Sequence, residues 1–165
     1  MCTSSIRLER PRTGRTQGPS VAKALPPAPV APLRDPHTLH PAIGAEIIHQ
    51  HPTADGAAIG ATGHHAFRRL AGALPRLDDG GVVINVGSAV VMPEVFFKAL
   101  TVARNLHAGK PGRFTACNLD MQPQYRTRVN VVERPTRHSG RRGFHITGHH
   151  EIMVPLLAWA VVERL

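Results

Sequence analysis

The stretch that most constrains this chain runs from Gly80 to Asn105, where a short apolar run, a small-residue turn and a helical pattern follow one another without interruption. Val82-Val83-Ile84-Asn85-Val86 is rich in β-branched residues, bounded by glycines and too short for a buried helix, so it reads as a strand covered on both faces in a parallel sheet. Pro93 suits the first turn of a helix, where its missing N–H costs nothing, and Glu94 sets a negative charge near the positive end of the helix dipole. A helix is therefore predicted to start close to Pro93 and to lay Val95, Phe96, Ala99, Leu100, Val102 and Ala103 on the sheet. Between strand and helix, Gly87, Ser88 and Ala89 let a ligand approach the backbone at the carboxyl end of the strand, which is where open α/β sheets bind ligands. Gly87 to Glu94 is the leading site candidate, set against the plainer reading of an ordinary strand-to-helix turn.

The rest of the chain repeats the pattern. Residues 1–41 hold arginines among prolines without apolar periodicity and read as a disordered leader, leaving 42–165 as a partial α/β domain. Asp55-Gly56 signals a turn, Gly56 to Gly63 a small-residue loop, and Thr62 a cap for a helix from about His64 to Leu74, ended by Pro75. Phe114 to Leu119 is the next strand, Tyr125 to Arg128 a polar connection, Val129 to Val132 a further short strand and Arg134 to Arg142 a basic loop. Gly143 to Thr147 is the last strand, and Ile152 to Val162 a strongly apolar final helix with Pro155 in its first turn. Alternation of this kind predicts a layered α/β fold with a mainly parallel sheet and flanking helices, incomplete because three or four strands leave an uncovered edge.

Composition narrows the function classes. The formal charge of the 165 residues is +9, but the basic residues are spread along the chain and there is one Trp and one Tyr, which argues against nucleic acid as the partner. Two cysteines, far apart, make neither a disulfide framework nor a metal spacing, so a reducing, cytoplasmic compartment fits. No apolar run reaches the roughly 20 residues of a membrane span.

Eleven histidines are a heavy load, and His49 with His51, His64 with His65, and His149 with His150 and Glu151 are clustered, so a metal-dependent hydrolase is an alternative. Adjacent histidines on one element point apart and no His-Glu-x-x-His is present, so no metal ligand set is assigned. With parallel strands, Asn85, Ser88, Glu94, Asn118, Asp120, His149, His150 and Glu151 converge on one rim. That convergence predicts a small-molecule site, with Gly87, Ser88, Ala89, Asn118 and Asp120 around a cofactor. His149, His150, Glu151 and Glu94 supply proton transfer or orientation, a histidine beside a carboxylate being suited to acid–base work near neutral pH.

Two segments also carry a resemblance. Val83 to Asn105 resembles the strand, Gly-Gly-Gly-x-Pro-Lys and helix of deoxyhypusine synthases, and Gly148-His149-His150-Glu151-Ile152-Met153-Val154-Pro155-Leu156-Leu157 resembles that family's closing Gly-Asp-Ala-Thr-Ile-Ile-Phe-Pro-Leu-Leu. The similarity spans roughly Gly80 to Leu165 and implies a Rossmann-like NAD-binding fold, a homo-oligomer, namely a tetramer with sites shared between subunits, and transfer of an aminobutyl group from spermidine through a lysine imine. Three positions depart from the pattern: Ser139-Gly140-Arg141-Arg142-Gly143 stands where the family has Trp-Gly-Lys, Glu94-Val95 where it has Lys-His, and His149 where it has an acid. Arginine stays protonated and cannot form the imine. The expectation is a deoxyhypusine-synthase-like protein of unassigned activity, a transferase if active, with a truncated, non-catalytic fragment as a further alternative.

Overall fold

Three strands carry the architecture, and the register in which they pair positions everything else. The computed structural model describes residues 38–137 and 142–164. The expectations placed on the leader before residue 38 and on Ser139, Gly140 and Arg141 lie outside the described residues. Strands β1 (Val82–Val86), β2 (Thr115–Asp120) and β3 (Gly143–Thr147) pair in the order β1-β2-β3, all parallel. The α/β class, the parallel sheet and the flanking helices are as the sequence implies.

Helix α1 (Gly56–Ala73) begins eight residues before the predicted start. Its cap is Asp55, whose carboxylate accepts from the amides of Ala57 and Ala58 at 2.9 and 3.2 Å, while the Thr62 hydroxyl bonds back to Ala58 and Ile59 carbonyls inside the helix. The segment read as a small-residue loop is therefore helical, because one satisfied cap and an alanine-rich first turn outweigh three glycines. Helix α2 (Val91–Leu106) begins two residues before Pro93 and ends in a turn that uses Ala108 and Gly109 at positive φ and a cis Lys110–Pro111 bond. Asp78 ties that turn down by accepting from the amides of Gly112 and Arg113 at 2.6 and 3.1 Å.

The predicted strand at Val129 to Val132 is helix. Tyr125–Thr127, a wide π turn at Arg128–Glu133, and Arg134–Thr136 follow one another and are together called α3. A four-residue apolar run does not distinguish a strand from a helix buried on several sides. Here Val129, Val131 and Val132 are all buried, and the run packs on α2, β2 and β3 at once. Gly143 is what lets α3 come so close: a Cβ there would stand 2.5 Å from Cγ1 of Val132.

All three helices pack on one side of the sheet. The core joins Phe96, Ala99, Leu100 and Ala103 of α2 with Phe114, Ala116, Val131 and Val132, and Phe96 meets Phe114 edge to face at 6.3 Å. Strands that progress in one direction through right-handed crossovers send every crossover helix to the same face. The other face is bare over its edge strands: Val82 is 56% exposed, Ile84 43% and Phe144 45%, so β1 is not covered on both faces as its composition implied. The last helix, α4 (His150–Val162), touches β2 but buries none of its residues. It starts two residues earlier than expected, which puts Pro155 inside the helix and not in its first turn.

Candidate functional site

The carboxyl ends of the strands hold a polar ladder that no single segment announces. Register sets Asn85 opposite Asn118 and Asn118 opposite His145, all three on the helix-covered face. Asn85 Nδ2 donates to Asn118 Oδ1 at 2.6 Å and to the Ser88 carbonyl at 3.0 Å, which uses both of its protons. The Asn118 oxygen being occupied as acceptor, its amide nitrogen faces His145 Nδ1 at 3.1 Å as donor. His145 Nδ1 is then the acceptor, and neutral imidazole carries its proton on Nε2.

That proton has no partner. Among the described residues, the buried side-chain atoms lacking a hydrogen bond are His49 Nε2, His145 Nε2 and Asp120 Oδ2. Two of the three belong to adjacent strands at the same end of the sheet. Asp120 is 8% exposed and His145 half-buried, and both unmet atoms are out of water, a state that costs about 1–3 kcal/mol for each unmet group. The ladder thus ends in an unmet donor and an unmet acceptor on one face of the sheet.

The Gly87 turn lies beside them. Gly87 takes φ 65°, in the left-handed region that a glycine enters without strain. Its N–H donates to the Leu119 carbonyl at 3.0 Å, and His150 Nε2 reaches the same carbonyl at 3.3 Å. The imidazole of His150 lies over the turn: a Cβ on Gly87 would stand 3.1 Å from its Cε1. Ser88 Oγ accepts from the Met92 amide at 3.2 Å and so caps α2. The Gly87 amide and the Ser88 hydroxyl are therefore already engaged by protein groups.

The predicted site residues divide accordingly. Asn85, Gly87, Ser88, Asn118, Asp120 and His150 are brought together at the rim, with Ala89 in the connecting turn. His149 is the exposed N-cap of α4 with no side-chain cap bond, and Glu151 is exposed in its first turn. Glu94 leaves the rim altogether. It bonds Lys98 at 2.8 Å and Asn130 at 2.8 Å, with Arg126 at 3.5 Å, and the Lys98 hydrogen bond foremost holds its carboxyl below the usual range. The cause is rotational: the first turn of α2 points residue 94 toward α3, while residue 88 precedes the helix. Reasoning from sequence missed His145, which the alternation of β3 places on the Asn118 face and which parallel pairing with β2 could have marked.

No His, Cys, Asp or Glu triple gathers around a common point among the described residues, so the histidine pairs do not form a metal centre there. Lys98 and Lys110 are both two-thirds exposed and paired with Glu94 and Asp78. Cys117 is a buried free thiol, held protonated by desolvation. No helix among the described residues is long and apolar enough to cross a membrane.

No protein-family model, curated protein or solved structure matches this chain.

Proposed function

We propose that this chain is a deoxyhypusine-synthase-like α/β protein of cytoplasmic setting that binds a small hydroxyl-bearing molecule at the carboxyl ends of its strands, with a nucleotide ribose as the fitting group. One observation carries the reading: the unmet Asp120 Oδ2 and the unmet His145 Nε2 proton on neighbouring strands. A carboxylate accepts and an imidazole N–H donates, and a hydroxyl is the group that satisfies both. A polyamine meets Asp120 but offers no acceptor to the imidazole while it is charged, so the pair favours a ribose over spermidine. His150, beside the Gly87 turn, is the group placed to move a proton for a bound ligand.

Self-association belongs to the same reading. Among the described residues, Val82, Ile84 and Phe144 of the sheet and Ile152, Trp159 and Val162 of α4 are exposed, and contiguous exposed apolar surface marks an interaction site. A homo-oligomer covers both.

The test is ligand-induced stabilisation. Adenosine and NAD are expected to raise Tm, by about 2.7 kcal/mol of stability at one hundred times Kd, and spermidine to have no effect. Asp120→Asn keeps the shape and replaces one acceptor oxygen by a donor, and is expected to abolish the shift. Equal shifts in wild type and Asp120→Asn, or none with any ribose-bearing compound, would overturn the reading.

A further inference from the structure

A second feature lies on the opposite side of α2. Glu94, Phe97, Lys98 and Thr101 stand at i, i+3, i+4 and i+7, one stripe of the helix, which faces α3 across an open groove of about 510 Å³. Tyr125, Arg126, Asn130 and Arg134 form the other wall. A second hollow of about 350 Å³ shares Phe97, Thr101 and Arg134 and continues the groove to Arg104 and Arg137. From Glu94 to Asn105 the stripe is roughly 16 Å long at the helical rise.

The charge along this groove is one-sided. Lys98, Arg104, Arg126, Arg134 and Arg137 face one carboxylate, Glu94. Glu94 is already shared by Lys98, Arg126 and Asn130. The positive potential is therefore not balanced within the groove. The cations are also held in place. Arg104 donates to the Pro111 and Pro135 carbonyls at 3.0 and 2.7 Å, and the Arg134 guanidinium lies 5.5 Å from the Phe97 ring centre and bonds Asn130 at 3.2 Å. The wide turn Arg128–Glu133, a helical irregularity often found at functional sites, presents Asn130 to Glu94. At the mouth stands Tyr125, 68% exposed, an aromatic face in water beside a row of guanidinium groups.

We propose that this groove binds an organic phosphate attached to a flat ring, the phosphate on the arginines of α3 and the ring on Tyr125. Planar guanidinium forks match phosphate oxygens, and an exposed ring is a platform for a base. The chemistry is common to a free mononucleotide and to a single-stranded nucleic acid, and the length of the groove admits more than one phosphate. The site is separate from the strand-end rim and does not depend on it.

Fluorescence anisotropy with a fluorescein-labelled octauridylate at low salt tests this, with AMP and unlabelled octauridylate as competitors. Binding is expected to weaken as salt rises, and the slope of log K against log salt to fall by about 0.7 for each phosphate that a variant no longer neutralises. Arg134→Gln/Arg137→Gln is expected to weaken binding at least tenfold and to flatten that slope. Tyr125→Ala is expected to weaken it about fivefold or more. Lys98→Gln, at an exposed position, repeats the charge test without touching the core. Arg68→Gln, an exposed cation on α1 outside the groove, is expected to change nothing. Competition by AMP at the same concentration as octauridylate assigns the site to a free nucleotide, and competition by octauridylate alone assigns it to a strand. Absence of binding by both probes, or an Arg68→Gln loss equal to that of the groove variants, would overturn the proposal.

Discussion

Asn118 is the residue through which the three strands are chemically joined. It accepts from Asn85, donates to His145 and is fully buried, so its replacement strands a donor on one side and an acceptor on the other. Asn118→Ala is expected to destabilise by about 2–4 kcal/mol, more than a cavity of that size alone, because both partners lose a buried hydrogen bond. Chemical denaturation of the variant beside Asn118→Asp, which keeps the acceptor toward Asn85 and loses the donor toward His145, measures the two halves of the ladder. Asp78 acts at the other end of the sheet. Its carboxyl is held below the ordinary 3.8, first by the amides of Gly112 and Arg113, so its stabilisation is present above that value and fades as pH falls through the lower folded value. Asp78→Asn is accordingly expected to lower Tm at neutral pH and to reduce the slope of Tm against pH below about 4, read by thermal scans across the acid range.

At the scale of elements, the boundaries were legible where a local rule acted alone. β1 follows from a β-branched run bounded by glycines, β2 and β3 from short apolar runs between turns, and α2 from a proline in the first turn, and those rules involve only neighbours in sequence. α1 and α3 were not legible in the same way. In α1 the deciding group is Asp55, a residue that turn chemistry and cap chemistry both favour, and its two amide bonds settle the matter in favour of the cap. Asp55→Ala is expected to cost about 1 kcal/mol and to leave the site intact, which denaturation and the ligand shift together check. In α3 the deciding fact is burial from three directions by α2, β2 and β3, and a run of valines carries no record of how many sides are covered. At the Gly87 turn, positive φ and the His150 ring act on the same atom position. Gly87→Ala is therefore expected to lose at least about 1 kcal/mol from the left-handed backbone alone, with a further loss as the ring is displaced. If the variant is as stable as wild type, the turn does not close against His150.

For the molecule as a whole, strand order is the controlling fact. β1-β2-β3 advances in one direction, so its crossover helices collect on one face and no reversal of strand order occurs among the described strands. Ligand crevices of open sheets form where the order reverses, so among the described strands the rim is not marked by such a switch point. The bare face and α4 make the same point from the side of hydrophobic surface. Ile152 is 63% exposed and Trp159 62%, on a helix whose apolar residues surround its axis. Light scattering after gel filtration is expected to give a mass of at least two chains, and Trp159→Glu with Leu156→Glu to shift it toward one. A wild-type monomer with water-exposed tryptophan fluorescence would exclude self-association through this helix.

The division between sequence and structure follows from range. Residue identity and spacing along the chain determined the class: parallel strands, glycine turns, a helix after the first and the last strand, and the polar candidates at the strand ends. Those signals are local, because propensity, capping and period are set by residues a few positions apart. Only the tertiary structure decided that Glu94 turns away from the rim and that His145 joins it. It also gathers arginines spread from residue 104 to 137, which form no block in the chain, along one groove. Each of these depends on which face of an element meets which neighbour, and packing over long sequence distances sets that choice.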